Sequence, residues 1–218
     1  MVNLNADINY KKDNCVIPDI LLETILITEN EKRYPFYIRT NSDSTLDIFN
    51  SIANKYPHRK TKDKMVIDCL SKENCIAITG ALVENKVSNL DLGLFQINYL
   101  NYPDRLNKYF NSKLSYQKAC SVVVDKINIK KRWDWDVFAG YHSFTKEFND
   151  IYKKKLKDNF ESLLLAKNLS PREKLPSVSI ERIIKQNDTS NSRLAFNMAV
   201  VKKGIIKREV EYFSLIKD

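Results

Sequence analysis

The sequence predicts a mainly α-helical α+β domain with a small C-terminal extension. Three observations carry that prediction. Only four glycines and six prolines punctuate 218 residues, too few for the many turns of an all-β protein. Apolar residues recur at helical spacing over several stretches. Two alternating runs fall together at the C-terminal end. A chain of this length buries one good core with room for an appendage.

Residues 1–14 form a polar lead-in. From Pro18 the chain turns helical, because Ile20, Leu21, Thr24, Ile25 and Thr28 share one side. Pro18 and Asp19 suit a helix start, and Pro35 requires the helix to end ahead of it. Glu29 therefore stands in the last turns of a largely apolar helix. Residues 42–55 open on a Ser/Asp-rich stretch and continue as a helix carrying Leu46, Ile48, Phe49 and Ile52. Residues 56–64 read as a polar loop, and 64–70 as a strand or a short helix. Cys69 and Cys75 bracket a polar turn, residues 76–84 are helical, and 92–98 enter as an extended or turn segment. A helix over 114–128 contains Cys120. A further helix begins at Trp133 and continues through Phe148 and Tyr152 to about Leu165. Beyond Ser170 and Pro171 the chain becomes polar and poorly periodic. The alternating runs 193–201 and 206–216, joined across Lys202, Lys203 and Gly204, carry a hairpin signal. The expected organisation is a lead-in over 1–14, a domain over 15–168 and an extension over 169–218.

The formal net charge is +9, which suits a polyanionic partner. The basic residues are scattered in short clusters such as Lys130-Lys131-Arg132 and Lys153-Lys154-Lys155. No zinc-finger spacing, helix-turn-helix signal or aromatic RNA-binding motif accompanies them, so no nucleic-acid partner is predicted. No segment approaches the ~18–20 apolar residues of a membrane span. Residues 1–14 hold no export signal, so the chain is expected to be cytosolic or a mature form. Two histidines and no Cys-x-x-Cys pair predict no zinc site. Four cysteines at long separations permit two disulfides in an oxidising compartment, with four buried free thiols as the alternative. The short Cys69 to Cys75 loop suits a local disulfide.

Chemistry concentrates in the run Asp91-Leu92-Gly93-Leu94-Phe95-Gln96-Ile97-Asn98. Gln96 and Asn98 offer amide donors and acceptors for sugar hydroxyls and N-acetyl groups. Gly93 allows close backbone approach. Phe95 and Tyr141 offer flat faces or a phenol donor. Glu29, a lone carboxylate at the end of an apolar helix, suits a general acid whose burial raises its pKa. Glycan cleavage needs such a proton donor, because an alkoxide is a poor leaving group.

The pieces ILLETILITEN, YPFYIRTN, NLDLGLFQIN and WDWDVFAGYHSF, followed by Tyr152, occur in this order over residues 15–157. Together they resemble the lytic transglycosylases of the SLT domain, with the goose-type lysozyme fold. The resemblance implies peptidoglycan glycan strands as substrate. It implies cleavage between N-acetylmuramic acid and N-acetylglucosamine without metal or organic cofactor. Glu29 would be the single acid/base, protonating the glycosidic oxygen and then deprotonating the sugar's 6-hydroxyl to close a 1,6-anhydro ring. Phe95 takes the place usually held by Met beside the sugar. Gln96 matches the residue lining the subsite, Asn98 the one bracing the loop, and Tyr141 the tyrosine hydrogen-bonded near the acid. Asn30 stands where Ser is common, and His142 follows Tyr141 where Asn is usual. The long interval between Glu29 and Gly93 resembles the branch serving type IV secretion. That likeness implies Cys15 paired with Cys120, Cys69 paired with Cys75, a periplasmic location and an envelope-spanning secretion machine as partner. Two other readings stand beside it: a hydrolytic muramidase on the same fold, and a non-catalytic wall-binding or secretion-scaffold protein.

Overall fold

Pro18 starts the first helix: its carbonyl accepts from the N–H of Leu21 at 3.0 Å and of Leu22 at 3.4 Å. This is seen in a computed structural model that describes residues 15–169, 175–181 and 183. Helix α1, Asp19–Glu29, buries Leu21, Leu22, Ile25 and Leu26. The hydroxyls of Thr24 and Thr28 donate to the carbonyls one turn back, at 2.7 Å each, so Thr24 enters the core with its polar group satisfied. Glu29 is the final helical residue.

A five-stranded antiparallel sheet follows, in the order β2-β3-β1-β4-β5. Its strands are β1 (Tyr37–Thr40), β2 (Arg59–Lys60), β3 (Val66–Asp68), β4 (Leu90–Leu92) and β5 (Ile97–Asn98). Ile67, Ile38, Leu92 and Ile97 sit opposite one another across four strands, all buried. The neighbouring row, Arg39, Asp91 and Asn98, faces the other way. The strand alternative for residues 64–70 is therefore correct. β1 has no counterpart among the sequence expectations, and β2 lies where a polar loop was expected. Strands of two to four residues carry too little periodicity to read, and pairing with neighbours makes them.

Among the helices, α2 covers Leu46–Ala53 after a 3₁₀ turn at Asp43–Thr45. Helix α3 runs Lys72–Glu84, starting earlier than expected because the Ser71 hydroxyl accepts from the Asn74 N–H at 3.2 Å. After the short α4 (Asn107–Phe110), α5 covers Ser112–Lys130 under an Asn111 cap.

The single helix expected from Trp133 to about Leu165 is two helices, α6 (Trp135–Ala139) and α7 (Lys146–Ala166). The chain breaks after Gly140, where a Cβ would overlap the Phe144 ring folded back onto it. Asn149 holds the corner, donating to the Asp136 carbonyl at 3.0 Å and the Ser143 carbonyl at 2.7 Å. The break lets α7 pack against both α1 and α6.

Cys15 pairs with Cys120, Cα atoms 6.0 Å apart, tying the segment before α1 to α5. Cys69 pairs with Cys75, Cα atoms 5.2 Å apart, joining the end of β3 to α3. The free-thiol alternative is thereby set aside. The chain divides into two units, Met1–Val178 and Ser179–Asp218. Within the first unit the Trp133 indole donates to the Pro176 carbonyl at 3.0 Å. In the second unit the Ile183 N–H donates to the Ser179 carbonyl at 3.2 Å, one helical turn. The lead-in over 1–14 and the hairpin signal over 193–216 lie outside the described residues. Among the described residues no helix is long and apolar enough to cross a membrane.

Candidate functional site

Helix α1 delivers Glu29 to the wall of a cleft of about 430 Å³. The residue keeps a partly exposed face toward the cleft, while protein atoms crowd its carboxyl from the other sides. Burial pushes its pKa up to about 8, against the lowering pull of the Tyr152 hydroxyl. That hydroxyl, from α7, meets Glu29 Oε1 at 2.6 Å. Two turns further along α7, Asn159 Nδ2 donates to the Thr28 hydroxyl at 2.9 Å, so α7 grips the last turn of α1 twice. The His142 ring stacks on Tyr152, centroids 4.9 Å apart and planes 15° apart.

The β4–β5 turn supplies the facing wall. Gly93 has φ +72° and a Cβ there would overlap the Tyr109 carbonyl. Its N–H donates to the Tyr37 carbonyl at 2.9 Å, and its carbonyl accepts from Gln96 Nε2 at 2.7 Å. Gly93 thus shapes the turn and is not among the residues lining the cleft. Gln96, at φ +44°, lines it. Asn98 lines it as well and braces the strand ends: its amide nitrogen donates to Asn89 Oδ1 and Asp91 Oδ1, both at 2.9 Å, while its oxygen accepts from the Asn101 N–H.

Two expected positions differ. The Phe95 side chain is 1% exposed and packs edge-on against Tyr116, in the core rather than beside a ligand. Its backbone carbonyl accepts from the Tyr141 hydroxyl at 2.9 Å in a buried hydrogen bond. Tyr141 lines the cleft, but the phenol on the acid is that of Tyr152. Asn30, 5% exposed, is committed to backbone. It donates to the Tyr34 carbonyl at 2.6 Å and the Leu94 carbonyl at 3.4 Å, and accepts from the Tyr34 N–H at 3.2 Å. It fastens the end of α1 to the β4–β5 turn.

No family model, curated protein or solved structure matches this chain.

Sequence reasoning missed Asp91 as a site residue. It lines the same cleft as Glu29, and burial raises its pKa, opposed by hydrogen bonds from Asn98 and Asn41. The alternation Leu90-Asp91-Leu92 was the signal available: two buried leucines put the residue between them on the opposite face. Tyr152 and His142 were also unassigned. Burial lowers the His142 pKa, with Asp91 pulling it up and Lys155 pushing it down. Among the described residues no group of three His, Cys, Asp or Glu side chains is placed to hold a metal ion. The arrangement offers a buried carboxyl held protonated, a second carboxyl group and a wall of amides: a proton donor beside hydrogen-bonding side chains.

Proposed function

We propose that this cleft cuts the β-1,4 bond between N-acetylmuramic acid and N-acetylglucosamine in peptidoglycan as a lytic transglycosylase on a lysozyme-like fold. The observation that carries the reading is Glu29, held protonated near neutral pH on a cleft whose other wall is lined by Gln96 and Asn98. Glu29 gives its proton to the glycosidic oxygen as the bond from that oxygen to C1 breaks. The resulting carboxylate takes the proton of the muramyl 6-hydroxyl, whose oxygen attacks C1. The 1,6-anhydro ring closes, Glu29 regains its proton, and no water is consumed. Tyr152 orients the carboxyl through its 2.6 Å hydrogen bond and keeps a donor on it in the anionic state. The +9 charge favours an anionic wall, and two disulfides suit the periplasm.

Asp91 favours a second reading, hydrolysis, because a second carboxylate in the cleft can activate a water or trap the glycosyl cation. Digestion of purified peptidoglycan with mass analysis of the products separates the two. Anhydro ends, reduced at least about 100-fold in Glu29→Gln, support transglycosylation. Reducing ends that vanish in Asp91→Asn support hydrolysis. Undiminished cleavage by Glu29→Gln overturns both, and binding without release of any product leaves a wall-binding protein.

A further inference from the structure

The corner between α6 and α7 sets one ring over the partner of the candidate acid. His142 lies just beyond α6, and its N–H donates to the Ala139 carbonyl at 3.1 Å. The carbonyl of the next residue, Ser143, is held by Asn149 of α7 at 2.7 Å. Fixed on both sides, the corner lays the imidazole flat on Tyr152, centroids 4.9 Å apart, in an offset stack. Tyr152 is left only 5% exposed, although His142 itself is exposed. One face of the imidazole therefore covers the phenol, and the other meets solvent. Solvent has room there, because His142 borders both the cleft and a neighbouring, more open recess of about 610 Å³. The Tyr152 hydroxyl meets Glu29 at 2.6 Å, so His142 stands between bulk water and the hydrogen-bond partner of the carboxyl.

We propose that His142 is a positioning residue, a shield whose ring keeps water off the hydrogen bond between Tyr152 and Glu29. This rests on the reading of Glu29 as the proton donor and adds a residue that sets its acidity. The charged groups around the pair are Lys155 of α7, Asp91 of β4 and Arg39 of β1, with the Tyr141 phenol beside them. Asp91 raises the Glu29 pKa while Lys155 and Arg39 lower it, and each acts less than burial does. Exclusion of water is thus the main influence, and a ring at the mouth of the site controls it. Burial lowers the pKa of His142 itself, so the imidazole is neutral where Glu29 gives up its proton. Removing it takes away a ring and no charge. Water that then reaches the phenol and the carboxyl favours the ionised glutamate. The expected change is opposite in sign to losing the Tyr152 hydroxyl, which raises the Glu29 pKa.

The test follows the Glu29 carboxyl carbon by NMR titration of the full chain in wild type, His142→Ala and His142→Phe, beside digestion of purified peptidoglycan. In wild type the carbon should titrate near pH 8. In His142→Ala the titration, and with it the alkaline limb of kcat, should move down by roughly one pH unit, a fraction of what full burial supplies. His142→Phe restores a ring without a titrating nitrogen and should return both to the wild-type position. The side chain is exposed, so neither variant endangers the fold. No shift in the alanine variant, an upward shift like that expected of Tyr152→Phe, or a phenylalanine variant that stays down overturns the shield. So does a wild-type Glu29 that titrates in the ordinary carboxylate range. A downward shift restored by phenylalanine, in a wild type that cuts no peptidoglycan, leaves the shield standing and removes the cleavage reading.

Discussion

Glu29 shows how one carboxyl is made an acid at neutral pH. An exposed glutamate would be ionised at pH 7, and burial reverses this by penalising the charged form, lifting the pKa to about 8. Tyr152 works the other way, because its hydroxyl donates to the carboxylate and lowers the value. The sign of a prediction follows. The proposed reaction needs protonated Glu29, so activity should fall as pH rises through about 8. Tyr152→Phe removes the lowering contribution, so the alkaline limb of the pH profile of kcat should move to higher pH. A limb that stays in place or moves down contradicts the assignment. Glu29 was singled out in the sequence by its place in the last turns of an apolar helix together with the resemblance to the lytic transglycosylases, since Glu23 and Glu31 stand close by. The identity of its partner was not, since the phenols of Tyr141 and Tyr152 are alike in sequence and only the packing of α7 on α1 chooses between them.

At the scale of elements, the β4–β5 hairpin determines what the cleft presents. Its buried row through Leu92 and Ile97 anchors it to β1, and its opposite row turns Asp91 and Asn98 to the cleft. The turn between them depends on Gly93, whose left-handed φ and contact with the Tyr109 carbonyl leave no space for a side chain. Gly93→Ala should destabilise the protein by about 2–4 kcal/mol, measured as a fall in the denaturant midpoint at unchanged m-value. Stability equal to wild type would show that the turn does not rest on this residue. The Gly-Leu-Phe-Gln-Ile-Asn run was readable as a loop, but its hydrophobic member misled. Phe95 reads as a ligand platform when only residue type is known. In the turn its ring enters the core against Tyr116, and its carbonyl meets the Tyr141 hydroxyl. The break between α6 and α7 was hidden for a related reason. Helical spacing continues across Gly140 and Phe144, and only their close approach shows that the chain must turn there.

Across the first unit, the disulfides act over very different spans. Cys15–Cys120 closes a loop of sequence separation 105, and Cys69–Cys75 one of separation 6. Chain-entropy reasoning assigns about 5 kcal/mol to the long loop and about 2 kcal/mol to the short one. Cys15→Ala/Cys120→Ala should therefore lower unfolding stability more than Cys69→Ala/Cys75→Ala, as read from denaturant titrations under oxidising conditions. The reverse order would mean that local geometry at α3 outweighs loop closure. The cysteine count announced the possibility of two bridges, but four cysteines allow three pairings. By itself the sequence determined the mainly helical class, the apolar helix with Glu29 in its last turns, and the amide-rich loop. Those features depend on local periodicity and residue type, which act over one or two turns of chain. Only the tertiary structure decided that Asp91 shares the cleft with Glu29, that Tyr152 holds the acid, that Asn30 fastens to the Leu94 carbonyl, and that a recess adjoins the site. Each joins segments tens of residues apart, and such meetings depend on which faces pack together rather than on any local pattern.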